Sequence, residues 1–252
     1  MDVNISHSKV ADSKIPDSKI IVALDFANSK DALLLVNQLN PNLCKLKVGK
    51  ELFTAVGPQF VEALIAKNFK VFLDLKFHDI PSTTSKACEA AANLGVWMLN
   101  VHASGGSAMM QAALEGINKS AHTPYLIAVT VLTSMNQIAF NELGISASIE
   151  QHVLRLAKLT ELAGLHGVVC SAMEAQLLRQ YVNNAFLLIT PGIRPALQSG
   201  AVNQDDQSRV VTPRDALNSG ANYLVIGRPI TQSPHPLKAL EAILQYIANA
   251  EN

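Results

Sequence analysis

An aspartate and a lysine stand two residues apart in the stretch 71–81, which reads VFLDLKFHDIP. Around them Val71, Phe72, Leu73, Leu75 and Phe77 are apolar, the composition of a buried β-strand. Side chains alternate between the faces of a strand, so Asp74 and Lys76 share one face. An unpaired ion on a core strand is strongly disfavoured, so such charges need a partner or a task. A third charge, Asp79, follows before Pro81, whose missing N–H ends the extended segment. The stretch reads as a catalytic rim.

Other residues join this rim if the neighbouring segments are strands. Asp25 ends the run IIVALD, and Lys45 and Lys47 share one face of LCKLKV. Lys47, nearer the C-terminal end, is the better candidate for the site, and Lys45 reads as an ion partner deeper in the fold. Asp25, Lys47, Asp74 and Lys76 then form alternating charges around one cavity, an arrangement that fixes side-chain geometry and shifts protonation equilibria. A structural ion-pair network is the competing reading. His78 and His102 read as hydrogen-bonded structural histidines, because no Ser or Cys nucleophile motif accompanies them. In the C-terminal third, TPGIRP at 190–195 and VIGRP at 225–229 each place a glycine beside an arginine, Arg194 and Arg228. Glycine N–H groups with forked guanidinium donors suit a phosphate, so the favoured ligand is a phosphorylated small molecule.

These residues need a scaffold that gathers strand ends. From Ile20 onward eight short aliphatic runs alternate with segments of helical period: IIVALD, LCKLKV, FKVFLDLK, WMLNVH, YLIAVTVL, HGVVC, FLLIT and YLVIG. Helix-like segments are 29–39, 57–67, 82–93, 107–117, 149–162, 172–181, 213–219 and 236–248. Eight such pairs in about 230 residues fit a closed (β/α)8 TIM barrel of the α/β class, whose active sites form at the C-terminal ends of the strands. The two longest connections, 133–148 and 191–212, fall on that face. One barrel domain is expected over residues 20–252, preceded by a flexible polar arm, 1–19.

The 252 residues are 49% hydrophobic and 16% charged, enough for a sizeable core. Twenty basic residues balance twenty acidic ones, which argues against a nucleic-acid or anionic-membrane partner. Cys44, Cys88 and Cys170 lack metal-type spacing and are expected to be buried free thiols in a reducing compartment. Without a secretion signal or a run long enough to cross a bilayer, the expectation is a soluble, cytoplasmic protein.

The motifs VALDF at 22–26, LKVGKELF at 46–53, FLDLKFHDIP at 72–81, NVHASGG at 100–106, VTVLTSM at 129–135, TPGIRP and VIGRPI together resemble the orotidine 5'-phosphate decarboxylase family over nearly the whole chain from Ile20. The resemblance implies cofactor-free, metal-free conversion of orotidine 5'-phosphate to UMP in pyrimidine biosynthesis, by a homodimer with shared active sites. It implies a charged network of Lys47, Asp74, Lys76 and Asp79, with Asp79 reaching into the neighbouring subunit's site accompanied by Ile80 and Thr83. Asp25 and Lys47 would hold ribose hydroxyls, with Asp74 near the departing carboxylate. Thr133 would meet the pyrimidine, Gln207 both phosphate and base, and Arg228 with the Gly227 backbone the phosphate. Arg194 also falls at a substrate-binding position. A related barrel, 3-keto-L-gulonate 6-phosphate decarboxylase, shares the D-x-K-x-x-D core and would use magnesium and an enediolate. A non-catalytic binder of phosphorylated ligands is the third alternative.

Overall fold

The computed structural model describes residues 17–194 and 211–249. Eight parallel strands, β1 (Ile20–Leu24), β2 (Lys45–Gly49), β3 (Val71–Phe77), β4 (Met98–His102), β5 (Tyr125–Val129), β6 (Gly167–Val169), β7 (Leu187–Thr190) and β8 (Tyr223–Ile226), pair in sequence order. The pairing of β1 with β8 closes the barrel. The expected (β/α)8 architecture is therefore the observed one.

Alternation along each strand divides the core in two. Val22, Leu24, Leu46, Val48, Leu73 and Val101 face outward and are covered by the helices. Ile21, Ala23, Phe72, Met98, Ile127, Ile189 and Val225 fill the barrel interior. Burying each of the larger aliphatic or aromatic side chains contributes roughly 1.5–3 kcal/mol, so the scaffold holds strand ends firmly against one another. Helix starts are encoded locally. Ser148 with Gln151 and Ser171 with Glu174 form capping boxes, and Pro81, Pro213 and Pro236 occupy first helical turns.

The sequence expectation differs from the structure mainly at element ends. The run YLIAVTVL stops pairing at Val129, and HGVVC contributes three strand residues. A helix at Lys50–Val56 precedes the expected one at Pro58–Ala66, and Gly57, with φ 73, separates them. The connection after β5 holds a short helix, Gln137–Asn141, capped by Asn136.

One strand departs from regular pairing. β3 and β4 align Leu73 with Leu99 and then Phe77 with Val101, so three residues of β3 oppose the single residue Asn100. Within this bulge Lys76 has φ 53, a left-handed conformation rare for a side chain of its size.

At the barrel's N-terminal end, Lys45 is 2% exposed. Its Nζ donates to Asp17 Oδ1 and to the Ser18 carbonyl, and lies 5.1 Å from the Trp97 ring centroid and 4.9 Å from that of Tyr223. Lys45 is thus the deep ion partner the sequence suggested. Residues 17–19, at the end of the expected arm, have a defined place: Ser18 Oγ donates to the Leu43 carbonyl, and Lys70 and Tyr223 both donate to Asp17. Residues 1–16 lie outside the described residues. Cys44, Cys88 and Cys170 are buried and free, and burial pushes the Cys44 and Cys88 thiols up to about 12. Among the described residues no helix is long and apolar enough to cross a membrane.

Candidate active site

At the C-terminal mouth the strands deliver four charges to one place. Asp25 continues the inward side of β1 after Ile21 and Ala23. Lys47 Nζ lies 3.2 Å from Asp25 Oδ1 and 3.5 Å from Asp74 Oδ2, and Lys76 Nζ donates to Asp74 Oδ1 at 2.6 Å. The order of signs is Asp25, Lys47, Asp74, Lys76, the alternation expected from the sequence. Exposure falls toward the middle of the chain of charges: the Asp25 side chain is 69% exposed, those of Lys47 and Asp74 are 12% and 11%, and that of Lys76 is 26%. Burial alone would raise the Asp74 pKa. The charges of Lys47 and Lys76, with hydrogen bonds from Lys76 and Asn100, outweigh it and hold the carboxyl below its ordinary range. A buried carboxylate flanked by two ammoniums creates a field in which a negatively charged group near Asp74 is repelled and one near Lys76 is stabilised.

Asn100 carries a part of this geometry to which the sequence reading gave no role. Its Nδ2 donates to Asp74 Oδ1 at 2.7 Å, and its Oδ1 accepts the Lys76 backbone N–H at 2.8 Å. The sequence signal for it is an asparagine inside the apolar run MLNV, a polar amide on a strand that is otherwise apolar there.

His102, at the end of β4, faces the same mouth. Burial, then the neighbouring His78, Lys50 and Lys76, push its pKa down to about 4, against an opposing contribution from Asp74. Its ring centroid is 5.5 Å from that of His78.

Beside the charges lies a cavity of about 250 Å³ lined by Asp25, Lys47, Gly192, Arg194, Gly227 and Arg228, among others. The short helix Arg228–Thr231 begins immediately after Gly227. The loops after strands seven and eight of such barrels, with a short extra helix, are a recurrent phosphate-binding arrangement. Arg194 is held at the foot of its loop, where its N–H donates to the Val211 carbonyl at 3.1 Å and Ile193 bridges Val211. Pro191 and Gly192 also line a smaller pocket with Thr133, Ser171 and Met173, so Thr133 adjoins the main cavity across the β7 loop.

The structure does not bring every expected residue to this point within one chain. Asp79 is exposed, its Oδ1 accepting the Ile80 N–H, and no ion pair of Asp79 occurs among the described residues. Ile80 is 64% exposed, and Thr83 faces solvent at the start of the helix Pro81–Asn93. Gln207 lies outside the described residues.

Fold and site together define a (β/α)8 barrel of the enzyme type, with a network of four charges at the strand C-termini beside an arginine-flanked cavity. Comparison with known proteins narrows this class. Residues 18–243 match the family described as Orotidine 5'-phosphate decarboxylase / HUMPS, and the chain belongs to that family. It is 59% identical to the orotidine 5'-phosphate decarboxylase of Nitrosococcus oceani, over 92% of this chain and 98% of the relative. It is 56% identical to that of Pseudoalteromonas atlantica, over 92% of this chain and 99% of the relative. The crystal structure of orotidine 5'-phosphate decarboxylase from Lactobacillus acidophilus superposes with a TM-score of 0.81 at 37% identity, covering 92% of this chain and 99% of that one.

Proposed function

We propose that this chain catalyses the decarboxylation of orotidine 5'-phosphate to UMP and carbon dioxide, a carboxy-lyase step of pyrimidine nucleotide synthesis. The observation that carries the reading is the relay Asp25–Lys47–Asp74–Lys76 opening onto a cavity flanked by Arg194 and Arg228. The names and high identity of the full-length relatives support the same substrate.

In this reading the phosphate occupies the Arg228 and Gly227 end of the cavity, Asp25 and Lys47 hold ribose hydroxyls, and the pyrimidine extends toward Thr133. Its carboxylate lies against Asp74 and its C6 against Lys76. The C6–carboxyl bond breaks, carbon dioxide leaves, and the bonding electron pair remains at C6. The Lys76 ammonium stabilises that charge as it develops and then donates a proton to C6, which gives UMP. Repulsion between Asp74 and the substrate carboxylate is relieved as carbon dioxide departs. Phosphate contacts are remote from the reacting carbon and act by fixing the substrate with binding energy gained elsewhere.

The exposed Asp79 and Ile80 fit a site completed across a homodimer interface, where Asp79 of one protomer meets the Lys76 region of its partner. The assay follows the ultraviolet absorbance of orotidine 5'-phosphate with purified protein, with and without a chelator. Loss of absorbance insensitive to chelation is the expected result. Loss abolished by chelation would replace this reading with a metal-dependent enzyme, and tight UMP binding without turnover would replace it with a binding protein.

A further inference from the structure

Asn100 is 0% exposed in the middle of β4, and both ends of its amide are used on residues of the charged relay. Turning the amide over would face its carbonyl to the Asp74 carboxylate and its NH₂ to the Lys76 N–H, so these two partners fix its orientation. Its place in the sheet explains the need for it. The bulge leaves Asp74, Leu75 and Lys76 opposite Asn100 alone, and a residue in a bulge loses its regular ladder partner. An N–H left without an acceptor in a partly buried bulge is destabilising, and the Asn100 side chain supplies that acceptor to Lys76. The left-handed Lys76 backbone is itself unfavourable and persists where surrounding groups hold it. The same amide anchors the Asp74 oxygen that receives Lys76 Nζ.

We propose that Asn100 is a positioning residue for the reaction: one side-chain amide spans the β3 bulge, clamps the Lys76 backbone and the Asp74 carboxylate, and so sets where the ammonium points. It touches no reacting atom and acts through Asp74 and Lys76. The inference rests on the reading of those two residues as the reacting pair. The charged or titratable groups that face Asp74 are Lys76 on its own strand, Lys47 from β2 with Asp25 beyond it from β1, and His102 from β4.

Two substitutions separate positioning from bulk. Asn100→Ala removes both hydrogen bonds. Asn100→Asp keeps an acceptor for the Lys76 N–H, and while protonated it also keeps a donor toward Asp74. Its ionised form would set two carboxylates at hydrogen-bond distance, which resist simultaneous ionisation. The experiment measures kcat and KM for orotidine 5'-phosphate from about pH 5 to 9, with hydrogen-exchange mass spectrometry on the peptides that span residues 72–80. For Asn100→Ala, kcat falls by about tenfold or more while KM stays within about threefold, since the cavity contacts remain. Exchange quickens at residues 72–80 and nowhere else in the barrel. Asn100→Asp is more active at the acid end and declines toward Asn100→Ala as pH rises.

Near-normal kcat in Asn100→Ala would overturn the proposal. So would exchange that quickens evenly across the barrel, or an Asn100→Asp profile that tracks Asn100→Ala at every pH. If the unsubstituted protein fails to turn over the nucleotide, the decarboxylase reading falls, and the exchange data still decide whether Asn100 holds the bulge.

Discussion

Asp74 and His102 show how one mouth holds two neighbouring groups deprotonated by different means, one charged and the other neutral. The two ammoniums and Asn100 keep Asp74 ionised despite its burial, whereas burial and surrounding positive charge keep His102 neutral. The linkage to stability has the same direction in both cases but different windows. The unfolded His102 binds its proton near pH 6.5 and the folded one near 4, so acid favours the unfolded chain progressively between those values. Asp74, whose folded pKa lies below 3.8, adds its own loss as pH falls through and below that value. The thermal midpoint should therefore decline between pH 6.5 and 4, and His102→Gln should flatten that part of the decline. An unchanged slope in the variant would show that other groups carry the acid sensitivity. For the chemistry, Lys76→Ala should remain folded, because its side chain is partly exposed and only its backbone lies in the bulge. Its turnover should drop by at least about 10³-fold, since in the proposed reaction Lys76 is both the proton donor and the stabilising charge. Circular dichroism and the absorbance assay on the same sample check both statements.

Between elements, the β3–β4 seam and the two helices that follow these strands pack closely. The helices Pro81–Asn93 and Gly106–Ile117 approach so closely that a Cβ on Gly116 would lie 2.2 Å from the Ser85 carbonyl oxygen. That atom is backbone and cannot rotate away, so Gly116→Ala must push the helices apart and should cost about 1–3 kcal/mol. A urea denaturation midpoint measures it, and a neutral result would show that this pair of helices tolerates separation. Because Asp79 lies just ahead of the first of these helices, the variant should also lose activity beyond what its stability predicts. The period-two pattern of FKVFLDLK made the shared face of Asp74 and Lys76 readable from the sequence, as eight alternating runs did for the barrel. The bulge was not readable. It arises from the pairing of β3 with β4, and the sequence of either strand alone is compatible with regular pairing. The role of Asn100 depends on that bulge and was hidden with it. Lys45 and Lys47 were separable by position along β2, since height in the barrel decides whether an inward lysine meets the floor or the mouth.

For the molecule as a whole, the floor and the mouth are electrically distinct. Asp17 gathers Lys45, Lys70 and Tyr223 at one end, while Asp25 and Asp74 gather Lys47 and Lys76 at the other, with the apolar interior between them. Within one chain the mouth has an exposed edge formed by Asp79 and Ile80, an aspartate without an ion pair among the described residues beside an isoleucine 64% exposed. A second protomer that covers Ile80 would bring Asp79 to its neighbour's relay, which a two-fold interface does reciprocally. Subunit mixing tests this arrangement. Lys76→Ala and Asp79→Ala are each expected to abolish nearly all activity alone. In a hybrid of the two, one site joins the intact Lys76 of one protomer to the intact Asp79 of the other, and the second site carries both defects. Random reassortment makes about half of the dimers hybrid, each with one competent site, so mixing after mild dissociation should restore about a quarter of the unsubstituted activity. If Asp79 instead served the relay of its own chain, every protomer in the mixture would carry one lesion and no activity would return.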